Sequence, residues 1–234
     1  MTAVCLEFGV GAHVDDATLA WVYDHRWWGL CGQGIDEASA LKDLTARAHP
    51  SYDRFLERHG EIARPLSLED LEIVERIHGD ELSFQRDHEP ATDEELLRTM
   101  MLLAYAREEL LALIEDCSEA ELDWDDPDRH LPRWASWRTL RQMAFHIADT
   151  ESRYYLAALD VEPPSRCEDV SAELRRSSGH VRDVLARLER DRAVASADGR
   201  WTTRKVLRRL AWHERSELDA IRTLRDRARL ATAD

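Results

Sequence analysis

Trp134–His146 reads WASWRTLRQMAFH, and Trp201–His213 reads WTTRKVLRRLAWH. The two stretches align without a gap. Trp134 matches Trp201, Leu140 matches Leu207, Arg141 matches Arg208, Ala144 matches Ala211 and His146 matches His213. Arg138/Lys205, Met143/Leu210 and Phe145/Trp212 are conservative pairs. A repeat bounded by Trp and His at both ends implies two equivalent helices related by an approximate two-fold axis. Equivalent residues then face each other, which brings His146 towards His213.

Outward from the repeat the pattern stays helical. Thr92-x-x-Glu95 is a capping box, and an apolar face from Leu96 to Ile114 predicts a first helix running to about Asp116. The second helix is expected from Trp137 to Leu159, ahead of Pro163-Pro164, and the third from Val170 to Arg190. The fourth is expected from Thr202 to Arg229. A lone amphipathic helix is marginal in water, so four of them with modest connections predict an antiparallel four-helix bundle over residues 91–234.

The first 66 residues read differently. Thr2–Phe8, Ala12–Asp15 and Thr18–Tyr23 have strand character, and Gly29-Leu30-Cys31-Gly32-Gln33-Gly34 is punctuated by glycine. A helix is expected from Asp36 towards His49, interrupted by Pro50, with a second over Ser51–Arg58. Residues 67–90 read as a helical connector. Ser67-Leu68-Glu69-Asp70 can cap a helix through His78 that Gly79 ends, with Leu82–Gln85 extended beyond it. The fold class is therefore α+β and mainly α: a small α+β domain at 1–66, a connector at 67–90 and a bundle at 91–234.

Composition narrows the function. The formal net charge is -15, from 32 basic and 47 acidic residues, so the surface repels phosphate backbones and anionic lipid. Nucleic acid and membrane are not expected partners. No apolar run approaches the roughly 18–20 residues of a membrane helix, and Met1–Phe8 lacks the pattern of a signal peptide. A cytoplasmic location follows as the expectation, with Cys5, Cys31, Cys117 and Cys167 as reduced thiols that form no C-x-x-C pair. Arginine dominates the basic residues, which points to a GC-rich bacterial source.

A helical wheel of about 100° per residue puts the second helix's apolar stripe on Leu140, Met143, Ile147, Tyr154 and Ala158. His146 flanks it, as His213 flanks the stripe of Leu207, Leu210 and Ile221. Glu217 is one turn beyond His213, so these two can chelate one ion. The alternative leaves the histidines as buried hydrogen-bonding groups and Glu217 paired with an arginine. Glu151 and Glu214 fall near the centres of their stripes and need partners. They either orient a histidine or pair with Arg138, Arg204 or Arg208. His213-Glu214-Arg215-Ser216-Glu217 is one residue from the H-E-x-x-H zinc-protease motif, but the repeat accounts for the histidine better. Trp134, Trp137, Trp201 and Trp212 are either packing residues or the walls of a pocket. The other eight histidines share no spacing, and no P-loop, G-x-G-x-x-G or G-x-S-x-G motif is present.

Trp134–Glu151 and Trp201–Ile221 resemble the second and fourth helices of the DinB superfamily, and Tyr105-Ala106-Arg107-Glu108-Glu109-Leu110-Leu111 fits its first. The resemblance covers about 91–234. It implies a four-helix bundle that in many members holds a divalent metal through one histidine on the second helix and an H-x-x-x-H pair on the fourth. Carried over, the ligands are His146, His213 and Glu217, with glutamate where the family has its last histidine. This set suits zinc, nickel, manganese or iron. Several members use a low-molecular-weight thiol in S-transfer or isomerisation, which implies a thiol co-substrate and a small-molecule substrate. Residues 1–60 resemble the HicB-like antitoxin domain, in which a glycine-containing turn leads from strands into a helix. Two functions follow as expectations. One is a metal-dependent enzyme of the thiol-transferase kind, with a homodimer as a plausible assembly. The other is a non-catalytic stress-response module that binds a small molecule or a partner and carries a degenerate metal site.

Overall fold

The structure, a computed structural model, describes residues 1–10, 17–46, 49–62, 65–79, 81–131, 135–196 and 199–232. The expected strand at Ala12–Asp15, His13 and Trp134 lie outside these residues.

The chain starts with strand β1 (Thr2–Val10), paired antiparallel with β2 (Ala17–Val22), which pairs antiparallel with β3 (Cys31–Gly34). Helix α1 (Glu37–Thr45) follows, its Asp36 side chain accepting from the Ser39 backbone N–H at 2.7 Å. The glycines of the β3 turn have a steric reason. A Cβ on Gly32 would lie 2.2 Å from the Ala40 carbonyl oxygen, so a bare backbone lets α1 lie directly on the strand. Helix α2 (Pro50–Arg58) comes next, with Pro50 in its first turn, where a missing N–H costs nothing.

The helix expected from Ser67 through His78 is instead a strand. Leu71–His78 forms β4, which joins β1 in parallel and completes a sheet of order β3-β2-β1-β4. The Ser67–Asp70 cap signal yields only a 3-10 turn at Leu68–Asp70. Beyond it Leu71, Ile73, Glu75 and Ile77 are half-buried while Glu72, Val74, Arg76 and His78 are exposed. That two-residue period is the strand's signature. Residues 67–90 are thus not a helical connector. Leu82–Gln85 forms no strand and leads into a 3-10 turn at Gln85–His88.

The rest is mostly helical. α3 (Asp93–Glu115) starts at the Thr92–Glu95 capping box, and α4 (Glu119–Leu122) is one short turn. α5 (Leu140–Asp149) begins three residues later than expected, because Thr139 caps it and leaves Trp137 in the preceding loop. It continues through a π-turn at Thr150–Tyr155 and a 3-10 turn at Ala157–Leu159. α6 (Val170–Leu185) is five residues shorter than expected. A hairpin of β5 (Ala193–Ser196) and β6 (Gly199–Thr202), unforeseen in the sequence, delivers the chain to α7 (Thr203–Thr232). α3 packs along α7 and α6, and α5 packs against α6 and α7. Leu110, Leu140, Ile147, Leu174, Leu207 and Leu210 are fully buried where they meet. Burying each such side chain contributes about 2 kcal/mol.

Sheet and helices share one continuous apolar core. α7 also meets the N-terminal segment through buried charges. Arg209 pairs with Glu7 at 3.0 Å, and Arg208 pairs with Asp87 at 2.7 Å. Asp87 also accepts from the Tyr23 hydroxyl at 2.6 Å. No helix among the described residues is long and apolar enough to cross a membrane.

Candidate metal centre

The repeat sets up the centre. Leu140 and Leu207, Met143 and Leu210, and Ala144 and Ala211 are all buried, so α5 and α7 turn equivalent faces inward. His146 and His213 meet at that seam with Nε2 atoms 3.2 Å apart and ring planes at 66°. Glu217, one turn along α7, completes a group whose ligand atoms all lie within 4.8 Å of one another. Among the described residues, no other group of three or more His, Cys, Asp or Glu side chains has this arrangement.

These residues fit a divalent ion. Metal–nitrogen bonds of about 2.0–2.1 Å in tetrahedral geometry put two imidazole nitrogens about 3.3 Å apart, close to the separation here. Protonation does not compete at neutral pH. Burial pushes His146 down to about 4. Burial, with His146 and Arg209 adding, pushes His213 down to about 3. Both rings are neutral and can turn a lone pair inwards. Burial pushes the Glu217 carboxyl up to about 7, opposed by the charge of Arg129. A cation held by both histidines would reverse that shift and draw out the carboxylate.

The surroundings orient the ligands. Thr150, the first residue of the π-turn, has Oγ1 3.3 Å from His146 Nδ1. If Nδ1 carries the proton and donates there, Nε2 keeps its lone pair for the centre. The Trp137 ring stacks on His146 with centroids 3.5 Å apart and planes at 9°. Tyr155 presents an edge to His213 at 5.9 Å. His213 Nδ1 is buried with no hydrogen-bond partner among the described residues. A cavity of about 780 Å³ lined by Trp137, Gln142, Phe145, His146, Asp149 and Cys167 opens beside the ring of His146.

Glu151 and Glu214 do need partners, but not those anticipated. Arg138 pairs with Asp125, Arg204 with Glu95 and Arg208 with Asp87. The partner of both carboxylates is Arg107 of α3, which donates to Glu214 at 2.5 Å, to Glu151 at 2.6 Å and to the Leu174 carbonyl. Burial raises the Glu214 pKa well above the carboxylate range; Arg107 opposes this and Glu151 adds to it. Glu214 is therefore held by Arg107 in a buried hydrogen-bonded contact and does not serve as the glutamate of a zinc protease. Pairing from a third helix left no periodic trace, although Arg107 lies within the Tyr105–Leu111 stretch singled out in the sequence.

The other candidates are placed elsewhere. Trp201 lies under the Lys205 ammonium at 3.8 Å, and Trp212 packs edge-on against Trp21 at 5.3 Å. His78 stacks on Phe8 and His59 bonds the Phe55 carbonyl, both away from the centre. Sequence reasoning missed Arg129, Thr150 and Tyr155, none of which shares a motif with the ligands.

A helical protein with two histidines and a carboxylate converging between its helices defines a class. Residues 102–221, just over half of the chain, match the model of the DinB superfamily, and the chain belongs to that superfamily. No curated protein and no solved structure matches it.

Proposed function

We propose that this chain is a divalent-metal-dependent enzyme, built on a DinB-type four-helix bundle of α3, α5, α6 and α7, that acts on a small molecule with a low-molecular-weight thiol as co-substrate. The carrying observation is the convergence of one ligand atom each from His146, His213 and Glu217 within 4.8 Å. These three residues would hold the ion and leave at least one coordination position open. When bound, the ion supplies Lewis acidity, which turns a thiol into a thiolate near neutral pH.

The residues around it do the rest. His146 and His213 stay neutral and so remain donors across the physiological range. Glu217 brings a negative charge to a buried place, which lowers the net charge of a loaded centre and favours harder ions more than a third imidazole would. Trp137 and Phe145 form apolar walls of the adjoining cavity, where a substrate can shed water. The sheet with α1 seated on its β3 glycines supports a HicB-like reading of the N-terminal region, here acting as a support for α7. The four cysteines are free thiols, in keeping with a cytoplasmic setting.

The test is the metal content of the purified protein beside His213→Ala. One transition-metal ion per chain, lost in the variant with folding unchanged, is the expected result. A wild-type chain that takes up no zinc, nickel, manganese or iron on reconstitution would overturn the proposal.

A further inference from the structure

Arg129 lies in the loop between α4 and α5, and its side chain reaches the segment that carries Trp137 and His146. One terminal guanidinium nitrogen donates to the Trp137 carbonyl at 3.0 Å and to the Arg138 carbonyl at 2.8 Å. The other lies 3.2 Å from the sulfur of Met143, one turn before His146. The side chain thus ties the loop to α5 at the level where the Trp137 indole covers the His146 ring. Its charge is also the one that opposes burial at Glu217.

The contact matters because of how an imidazole is held. The outer torsion of a histidine is broad, so a ring with one hydrogen bond still swings. Thr150 contacts Nδ1 and His213 contacts Nε2, at opposite ends of the ring, which leaves the tilt of its plane to be set by what it stacks on. A flat aromatic surface at 3.5 Å and 9° restrains the ring plane. It does so without obstructing Nε2, whose lone pair lies in that plane. Trp137 can act this way only if its backbone stays put. It lies in the loop just before α5. A planar guanidinium with one nitrogen shared by two consecutive carbonyls and the other against Met143 is suited to that task.

We propose that Arg129 is a positioning residue of the centre: it anchors Trp137 against His146 and thereby sets the plane in which His146 Nε2 faces His213 Nε2. The consequence for metal affinity rests on the metal reading above, while the anchoring does not.

Two measurements separate these. The first is metal-free tryptophan emission. Subtracting the spectrum of Trp137→Phe from that of the wild type isolates Trp137, and the same subtraction is made in an Arg129→Ala background. The Trp137 contribution is expected to shift to the red without Arg129, and an unchanged contribution overturns the proposal. Arg129→Gln, which keeps amide donors for the carbonyls, serves if the alanine variant does not fold, and should shift the emission less than a fully truncated Arg129→Met. The second is a cobalt(II) titration of the wild type, Arg129→Ala, Trp137→Ala and the double variant. Removing Arg129 also removes a cation beside the ion, but that effect is common to both backgrounds and cancels in the cycle. Arg129→Ala should weaken binding about fivefold more with Trp137 present than without it, within the usual range for coupled neighbours. Equal effects in the two backgrounds overturn the proposal. A wild type that binds no cobalt sinks the metal reading alone, and the emission then decides the anchoring.

Discussion

The two sides of α7 treat polar groups in opposite ways. Towards the N-terminal segment and the start of α3, Arg204, Arg208 and Arg209 are each met by a carboxylate at 3.0 Å or less. Towards α5, His213 has an Nδ1 without a partner among the described residues, faces another neutral imidazole and has a carboxylate one turn away that burial pushes towards protonation. Buried polar groups in native proteins are nearly always satisfied. Pairing on the first side explains itself as structure. The second side has polar groups whose geometry is best satisfied by something added. One helix thus carries a seam in which each arginine meets a carboxylate, although Arg208 Nη1 and Arg209 Nε have no partner among the described residues, and, less than two turns away, the donor set of His213 and Glu217.

The sharpest way to break the contrast is to cut the closed side. Asp87→Ala removes the partner of a fully buried Arg208 and is expected to cost about 3–5 kcal/mol in denaturant unfolding. A loss under about 1 kcal/mol would show that solvent reaches this seam.

A smaller effect comes from Lys205, buried beside that seam. Burial, with Arg209 and Arg208 adding, lowers its pKa from 10.5 to about 8. The folded state therefore releases this proton at lower pH than the unfolded state. Between about pH 8 and 10.5 the unfolded chain binds more protons, so this residue's contribution to stability rises with pH across that window. The gain is about 3 kcal/mol at most. It should vanish in Lys205→Met, as read from unfolding at a series of pH values.

On the open side, Glu217→Gln should change stability little at neutral pH, because a pKa of about 7 leaves the buried carboxyl about half protonated there and the amide keeps its shape. It should weaken zinc binding by roughly tenfold or more, the scale seen when a group supporting a metal site is lost. Unaltered zinc affinity would remove Glu217 from the donor set. The smallest expected change is Thr139→Ala, which deletes the α5 cap for about 1 kcal/mol.

The helices at both ends of the repeat were legible because a period near 3.6 and matching caps pointed the same way. His146, His213 and Glu217 could be named from spacing and resemblance, since helical repeat fixes which residues share a face. Leu71–His78 was misread because a capping signal at Ser67–Asp70 outweighed the alternation of Leu71, Ile73 and Ile77. Arg107 and Arg129 were illegible for a different reason. Each acts across elements distant in sequence, so no local pattern announces its partner. The ring of Trp137 belongs with them: the sequence suggested a helix there, and only the Thr139 cap shows that it is loop.

The π-turn at Thr150–Tyr155 divides its helix into two registers. The Leu156 N–H bonds the Glu151 carbonyl five residues back, at 3.1 Å. An α-helix would close that ring with one residue fewer. Removing one residue within the turn would close this ring as an ordinary α-helical one, so His146 before it and Leu156 and Leu159 after it would keep their faces. A chain shortened by one here would thus keep both its histidine pair and the packing beyond the turn, whereas the same deletion within α5 after His146 would turn the following residues by about 100°.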